Sequence, residues 1–168
     1  DGEAVGLPIG NYTSQWLGNL YLNELDTFIK HALGAKAYVR YCDDFLLFSD
    51  DKKMLHTYAE AIQDFLWGKL RLILSKKEVF PTSQGVDFVG YRYFHTGLVL
   101  LRKRTAKKQR QTVKAIRKNI ENGTVDVDEA RARLGSVNGL LKWARSYHFR
   151  QAIRFSETLE EVERLGKV

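Results

Sequence analysis

Two β-rich runs, Ala37-Tyr38-Val39-Arg40-Tyr41-Cys42 and Phe45-Leu46-Leu47-Phe48, stand only Asp43-Asp44 apart. So short a link permits only an antiparallel hairpin, because a parallel pair needs a crossover of about a dozen residues or more. The reading therefore puts two carboxylates at the tip of a rigid ribbon. Adjacent carboxylates repel, and a purely structural turn is met more readily by Asn-Gly or Asp-Gly. A divalent cation offsets the repulsion, and hard oxygen donors select Mg²⁺ or Mn²⁺. Two such ions ~3.5–4 Å apart activate an attacking hydroxyl and stabilise the leaving oxygen of an in-line phosphoryl displacement. In a regular strand the two side chains would face opposite ways, so a tip position is what lets both approach one site. The plainer reading is a solvated turn, as for Asp50-Asp51, which reads as a helix start. The apolar strands on either side favour the metal reading by fixing the pair on a rigid element.

Around this hairpin the chain alternates helical and extended patterns. Leu17, Leu20, Tyr21, Leu25, Phe28, Ile29 and Leu33 recur at three- and four-residue intervals and predict a helix over 14–33, capped by Thr13 or Ser14 and ended at Gly34. A second helix is expected over 52–67 on Leu55, Tyr58, Ala59, Ile62 and Leu66, followed by a strand at Leu70, Leu72 and Leu74. Residues 85–94 and 98–101 read as one more hairpin, turning at His95-Thr96-Gly97. Beyond Leu101 only helices are expected: 104–121 on Val113, Ile116 and Ile120; 128–146 on Ala130, Leu134, Val137, Leu141 and Ala144; and 148–164.

Charge changes at the same place. Residues 1–100 carry 10 basic and 12 acidic side chains, a balance of −2, whereas residues 101–168 carry 17 and 8, a balance of +9. An α+β domain over 1–101 and a basic all-helical subdomain over 102–168 follow. The single cysteine, Cys42, rules out an internal disulfide framework and a Cys-based zinc site. No apolar run approaches the ~20 residues that span a bilayer, and the start has no signal-peptide pattern, so a soluble protein is expected. Asp1-Gly2-Glu3 lacks an initiator Met, which reads as a piece of a longer chain or a designed sequence. A basic half by itself suits nucleic acid, an anionic membrane surface or an acidic protein.

Four elements in fixed order resemble the palm of reverse transcriptases: Gly6-Leu7-Pro8-Ile9-Gly10-Asn11-Tyr12-Thr13-Ser14-Gln15 leading into a helix, Tyr41-Cys42-Asp43-Asp44 between strands, Leu72-Ile73-Leu74-Ser75-Lys76-Lys77, and Gly85-Val86-Asp87-Phe88-Val89-Gly90-Tyr91. The likeness runs from residue 6 to about 101 and implies a palm of antiparallel hairpins packed on helices, followed by a helical thumb. Many reverse transcriptases have Gln before the second Gly of the first motif and close it with Ser-Pro. Ile9 and the Ser14-Gln15 ending resemble instead the enzymes of diversity-generating retroelements. That resemblance implies error-prone complementary DNA made from a template RNA with dNTPs and Mg²⁺, aided by an accessory variability protein, in the cytoplasm of bacteria or in a phage setting. A retron or group II intron type enzyme, or a noncatalytic RNA-binding module, are the alternatives.

By the same resemblance Asp43 is the principal metal ligand and Asp44 its neighbour. Tyr41 and Cys42 lie beside the primer terminus, and Ile9, Gly10, Ser14 and Gln15 line the nucleotide and template pocket. Replacing a hydrogen-bonding Gln by Ile removes a polar anchor and loosens base-pair selection, although Ile9 also suits simple packing. Lys76 or Lys77 would protonate the departing pyrophosphate or offset its charge; a solvated pair is the plainer reading. Phe88, Gly90 and Tyr91 would hold the primer. The family's further metal-binding Asp, on a strand before the Gly-rich loop, has no counterpart in the few residues before Gly6. The chain alone is therefore expected not to polymerise.

Between Arg102 and Lys118 stand nine basic residues and no acid: Arg102, Lys103, Arg104, Lys107, Lys108, Arg110, Lys114, Arg117 and Lys118. Like charges at helical spacing cost stability, so a polyanion is the natural partner, and phosphate contacts would hold a template-primer duplex without reading its sequence. Trp143, Arg145, Tyr147 and His148 form a second basic-aromatic group, with Trp143 expected in the core. Glu157, Glu160, Glu161 and Glu163 make the last helix unsuited to phosphate and suggest a partner protein.

Overall fold

The computed structural model describes residues 10–167, and the chain divides into two compact units between Phe80 and Pro81. In the first unit, helix α1 (Tyr12–Thr27) runs on as a π-helical turn, Phe28–Ala32, and reaches Gly34 at a φ of +64°. Strands β1 (Ala37–Tyr41) and β2 (Asp44–Phe48) pair antiparallel, Ala37 opposite Phe48 and Tyr41 opposite Asp44. Helix α2 (Lys52–Phe65) follows, its first turn capped by the Asp51 carboxylate on the Lys53 and Met54 amides, and it too ends in a π-helical turn, Leu66–Leu70. Leu25, Ile29, Ile62, Leu66 and Leu70 form the core, each contributing about 1.5–3 kcal/mol by leaving water. Phe28 stacks on Phe65 at 4.2 Å beside it.

Three expectations change in this unit. The α1 N-cap is Asn11, without a side-chain cap bond, rather than Thr13 or Ser14, which lie inside the helix. Leu17, Leu20 and Tyr21 are exposed, because only the second half of α1 reaches the core of Leu25 and Ile29. Leu70, Leu72 and Leu74 form no strand: Leu70 closes the π turn, Arg71 is left-handed at a φ of 52°, and the Leu72 amide donates back to the Leu66 carbonyl at 3.0 Å.

The second unit begins with a 3₁₀ turn, Thr82–Gln84, followed by a meander of β3 (Val86–Phe88), β4 (Tyr91–Tyr93) and β5 (Val99–Leu101). The run over 85–94 is thus two strands, not one. Val89 and Gly90 fold it back with φ of 46° and 86°, the double positive sign of a type I′ turn. Helices α3 (Lys103–Glu121), α4 (Val127–Lys142), α5 (Tyr147–Ala152) and α6 (Phe155–Leu165) complete the unit. The helix expected over 148–164 is broken at Arg154, whose φ of 54° ends α5 and starts α6. Val113 and Ile116 of α3, four side chains of α4 (Ala130, Leu134, Val137 and Leu141), Ile153, and Phe155 and Val162 of α6 make its core, with Leu101 of β5 and Ile120 against it. The shift in composition near 101 therefore falls inside this unit. The meander is tied to the helices by Tyr91 Oη donating to Leu140 O at 3.0 Å and by Arg145 N donating to Val99 O at 2.8 Å. The result is an α+β protein with small antiparallel sheets and a helical C-terminal region. Among the described residues no helix is long and apolar enough to cross a membrane.

Candidate catalytic and nucleic-acid-binding sites

Because Tyr41 pairs with Asp44, the two-residue loop of the first hairpin is Cys42-Asp43, and Asp44 is the first residue of β2. The carboxylates are neighbours across the end of the loop rather than both at its tip. Cys42 has a positive φ of 54°, a backbone conformation that L-residues other than Asn and Asp rarely adopt. Holding a Cys there costs on the order of 1 kcal/mol, so something must fix the turn.

Arg40 does so. Its Nη1 donates to the Cys42 carbonyl at 2.8 Å and to Asn19 Oδ1 at 3.0 Å, while Nε and Nη2 fork onto Asp26 at 2.8 and 2.6 Å. Tyr38 Oη donates to the same Asp26 carboxylate at 2.6 Å. Tyr38 and Arg40 are two apart on β1, so they share a face of the strand, and Asn19 and Asp26 lie two turns apart on α1. The Arg40 hydrogen bonds hold the Asp26 carboxyl below its ordinary value, against the opposing effect of burial. Burial, then the Asp26 carboxylate, pushes the Tyr38 phenol well up, so it stays a donor. This network was missed in the sequence; the i, i+2 spacing of Tyr38 and Arg40 in an otherwise apolar strand was its only signal.

Asp43 and Asp44 are exposed, and among the described residues neither carboxylate engages a hydrogen-bond or ion-pair partner. Four unengaged carboxylate oxygens at one hairpin end suit a hard divalent cation in chemistry and access. Among the described residues no group of three or more His, Cys, Asp or Glu side chains is placed to hold a metal. Of the pocket candidates, Ile9 lies outside the described residues; Gly10 precedes α1 at a φ of +104°, and Ser14 and Gln15 are in its first turns. Gln15 stands one turn before Asn19, on the face that grips the hairpin. Tyr41 is exposed beside the loop. The lysines are engaged elsewhere: Lys76 pairs with Glu78 at 3.0 Å, and Lys77 donates to Gln63 at 3.1 Å.

In the second unit Tyr91 is buried, its phenol raised by burial, Phe88 is half-buried, and Gly90 occupies the β3–β4 turn, its carbonyl accepting from Arg102 N at 3.0 Å. Of the nine cations all but Arg117, which is half-buried, are exposed. Arg102 lies 3.3 Å from Asp87, which also pairs with Arg92, and Arg110 leans over the Phe149 ring at 5.7 Å. The first turn of α3 has no acid and begins Lys103-Arg104, so like charges oppose the positive end of the helix dipole. Trp143 is 70% exposed, contrary to its expected core role, because α4 ends at Lys142 and the ring falls in the following loop. Glu157 pairs with Arg154, and Glu163 lies 3.6 Å from Arg131.

The reverse transcriptase (RNA-dependent DNA polymerase) family matches residues 2–93, more than half of the 168, and the chain belongs to that family. Enzymes of the family copy an RNA template into DNA and use divalent metal ions. No curated protein gives a significant match.

Proposed function

We propose that this chain is the C-terminal part of the palm, through residue 101, and the basic thumb, residues 102–168, of a reverse transcriptase of the diversity-generating retroelement type, copying template RNA with frequent errors. The observation that carries the catalytic reading is the Asp43-Asp44 pair, held on a strained turn by the Arg40 clamp, with both carboxylates unengaged among the described residues. Bound there, Mg²⁺, or Mn²⁺ in its place, would activate the primer hydroxyl and stabilise charge on the reacting phosphate. The protein's own part is to hold both carboxylates on a turn that does not yield, with Tyr41 and Cys42 beside the primer end. Gly10, Ser14 and Gln15 border the nucleotide, with Ile9 in place of a polar anchor. Phe88, Gly90 and Tyr91 steady the primer, and Lys76 or Lys77 offsets pyrophosphate charge after leaving its present partner.

The nine cations from Arg102 to Lys118 hold the template-primer duplex by its phosphates. The retroelement assignment rests on Ile9 and Ser14-Gln15 alone, and with it come the bacterial or phage cytoplasm and an accessory variability protein, for which acidic α6 is the candidate contact. Primer extension on an RNA template is the test. In the full-length enzyme Asp43→Ala is expected to abolish synthesis, and retained activity removes the metal assignment. The 168-residue chain by itself is expected to bind duplex without extending it, and template-dependent extension by the purified chain overturns that expectation.

A further inference from the structure

The loop from α4 to α5 carries a feature that duplex binding by α3 does not use. Trp143 and Tyr147 are 70% and 65% exposed, large aromatic rings in water with no core role. Trp143 and Arg145 border a recess of about 550 Å³ whose other wall is the β4–β5 turn, Thr96 to Val99. Lys142 Nζ sits 5.6 Å from the Trp143 ring centroid, so the ring already carries one cation.

The recess is built rather than incidental. Arg145 N donates to Val99 O at 2.8 Å, the buried Ser146 hydroxyl donates to Leu141 O at 2.8 Å, and Arg150 Nε donates to that hydroxyl at 3.2 Å. These bonds pin the loop to β5 and to the end of α4, which lowers the ordering cost of binding. Electrostatics choose the ligand's sign: neither 88–120 nor 130–156, the stretches that supply both walls, contains a single Asp or Glu. A polar, cationic recess with one exposed indole suits a flat ring flanked by negative charge better than a lipid surface, which would meet a run of apolar side chains.

We propose that this recess binds single-stranded nucleic acid, an unpaired base stacking on Trp143 while Lys142 and Arg145 meet the adjoining phosphates. The lining of the recess includes none of the nine cations from Arg102 to Lys118, and the proposal does not depend on the Asp43-Asp44 reading.

The test uses the full chain and a fluorescein-labelled oligothymidylate, followed by anisotropy at fixed low salt. Trp143→Ala is expected to weaken binding about tenfold or more, and Trp143→Phe to keep most of it, with thermal unfolding unchanged in both because the ring is exposed. An abasic oligomer of equal length is expected to bind weakly and equally to wild type and Trp143→Ala. Equal affinity of wild type and Trp143→Ala for oligothymidylate overturns the proposal. So does equal binding of the abasic and normal oligomers to wild type, which would reduce the contact to charge. Loss by Trp143→Ala of binding to phosphatidylserine vesicles, with oligomer binding intact, overturns it in favour of a lipid surface. None of these outcomes bears on duplex binding through Lys107, Lys108 and Arg110, which a double-stranded probe reads separately.

Discussion

Arg40 and Asp26 meet in a two-pronged ion pair, Nε to Oδ1 at 2.8 Å and Nη2 to Oδ2 at 2.6 Å, and the same guanidinium holds the carbonyl of Cys42 at 2.8 Å. One side chain thus couples a helix to the loop that bears the carboxylate pair. Arg40→Lys keeps the charge but not the fork, and is expected to lower unfolding free energy by about 1–3 kcal/mol in denaturant titration. The pair also makes stability depend on pH. Asp26 is held below its ordinary 3.8, so its contribution is complete above 3.8 and is lost as pH falls through the lower folded value. Asp26→Asn should remove that acid-side component, and the gap between wild type and variant should close as pH drops below 3.8.

The turn itself is a second target. Cys42 occupies a left-handed conformation at a φ of 54° that Asn or Gly adopts more easily. Cys42→Asn is expected to stabilise the chain by up to about 1 kcal/mol, and Cys42→Val, β-branched and ill suited to positive φ, to destabilise it by about 1–2 kcal/mol. Thermal unfolding of the three proteins checks the order.

Periodicity made much of this architecture legible. Val113, Ile116, Leu134, Val137 and Leu141 fall on the faces that their spacing marks, and the first hairpin follows from a two-residue gap. What stayed hidden depends on partners distant in sequence or on unusual backbone. Val89-Gly90 turns a chain segment that reads as one strand, since Val is a poor marker for positive φ. Leu17 and Leu20 have helical spacing but, among the described residues, no core opposite them, and the exposure of Trp143 depends on α4 ending one residue before it. For the candidate site, the mounting of the Asp43-Asp44 pair was not legible: Asp26, Arg40 and Asn19 converge only in three dimensions.

Gly85 and Gly97 separate two costs that a glycine can hide. Both have positive φ, +78° and +80°, but a Cβ at Gly85 would lie 2.9 Å from Arg92 Cγ and from Phe94 Cε1, whereas at Gly97 it meets nothing within 4 Å. Gly97→Ala should therefore cost about 1 kcal/mol from backbone conformation alone. Gly85→Ala should cost about 2–4 kcal/mol, because the Arg92 and Phe94 side chains must give way as well. Comparable unfolding midpoints for the two variants would contradict the packing of Arg92 and Phe94 over Gly85.

The cationic face of α3 predicts opposite signs for stability and binding. Lys103 and Lys107, Arg104 and Lys108, Arg110 and Lys114, and Lys114 and Lys118 are like-charged i, i+4 pairs, each costing the helix about 0.2–0.5 kcal/mol. Replacing Lys107, Lys108 and Arg110 by Gln relieves part of that repulsion, so the triple variant should melt no lower than wild type. Its affinity for a template-primer duplex should nonetheless fall about tenfold or more. The slope of log affinity against log salt should lessen by about two to three, at roughly 0.9 for each phosphate that is no longer neutralised. A variant that is both less stable and weaker binding would mean that these cations hold the fold together. A variant with unchanged salt slope would mean that duplex phosphates lie elsewhere.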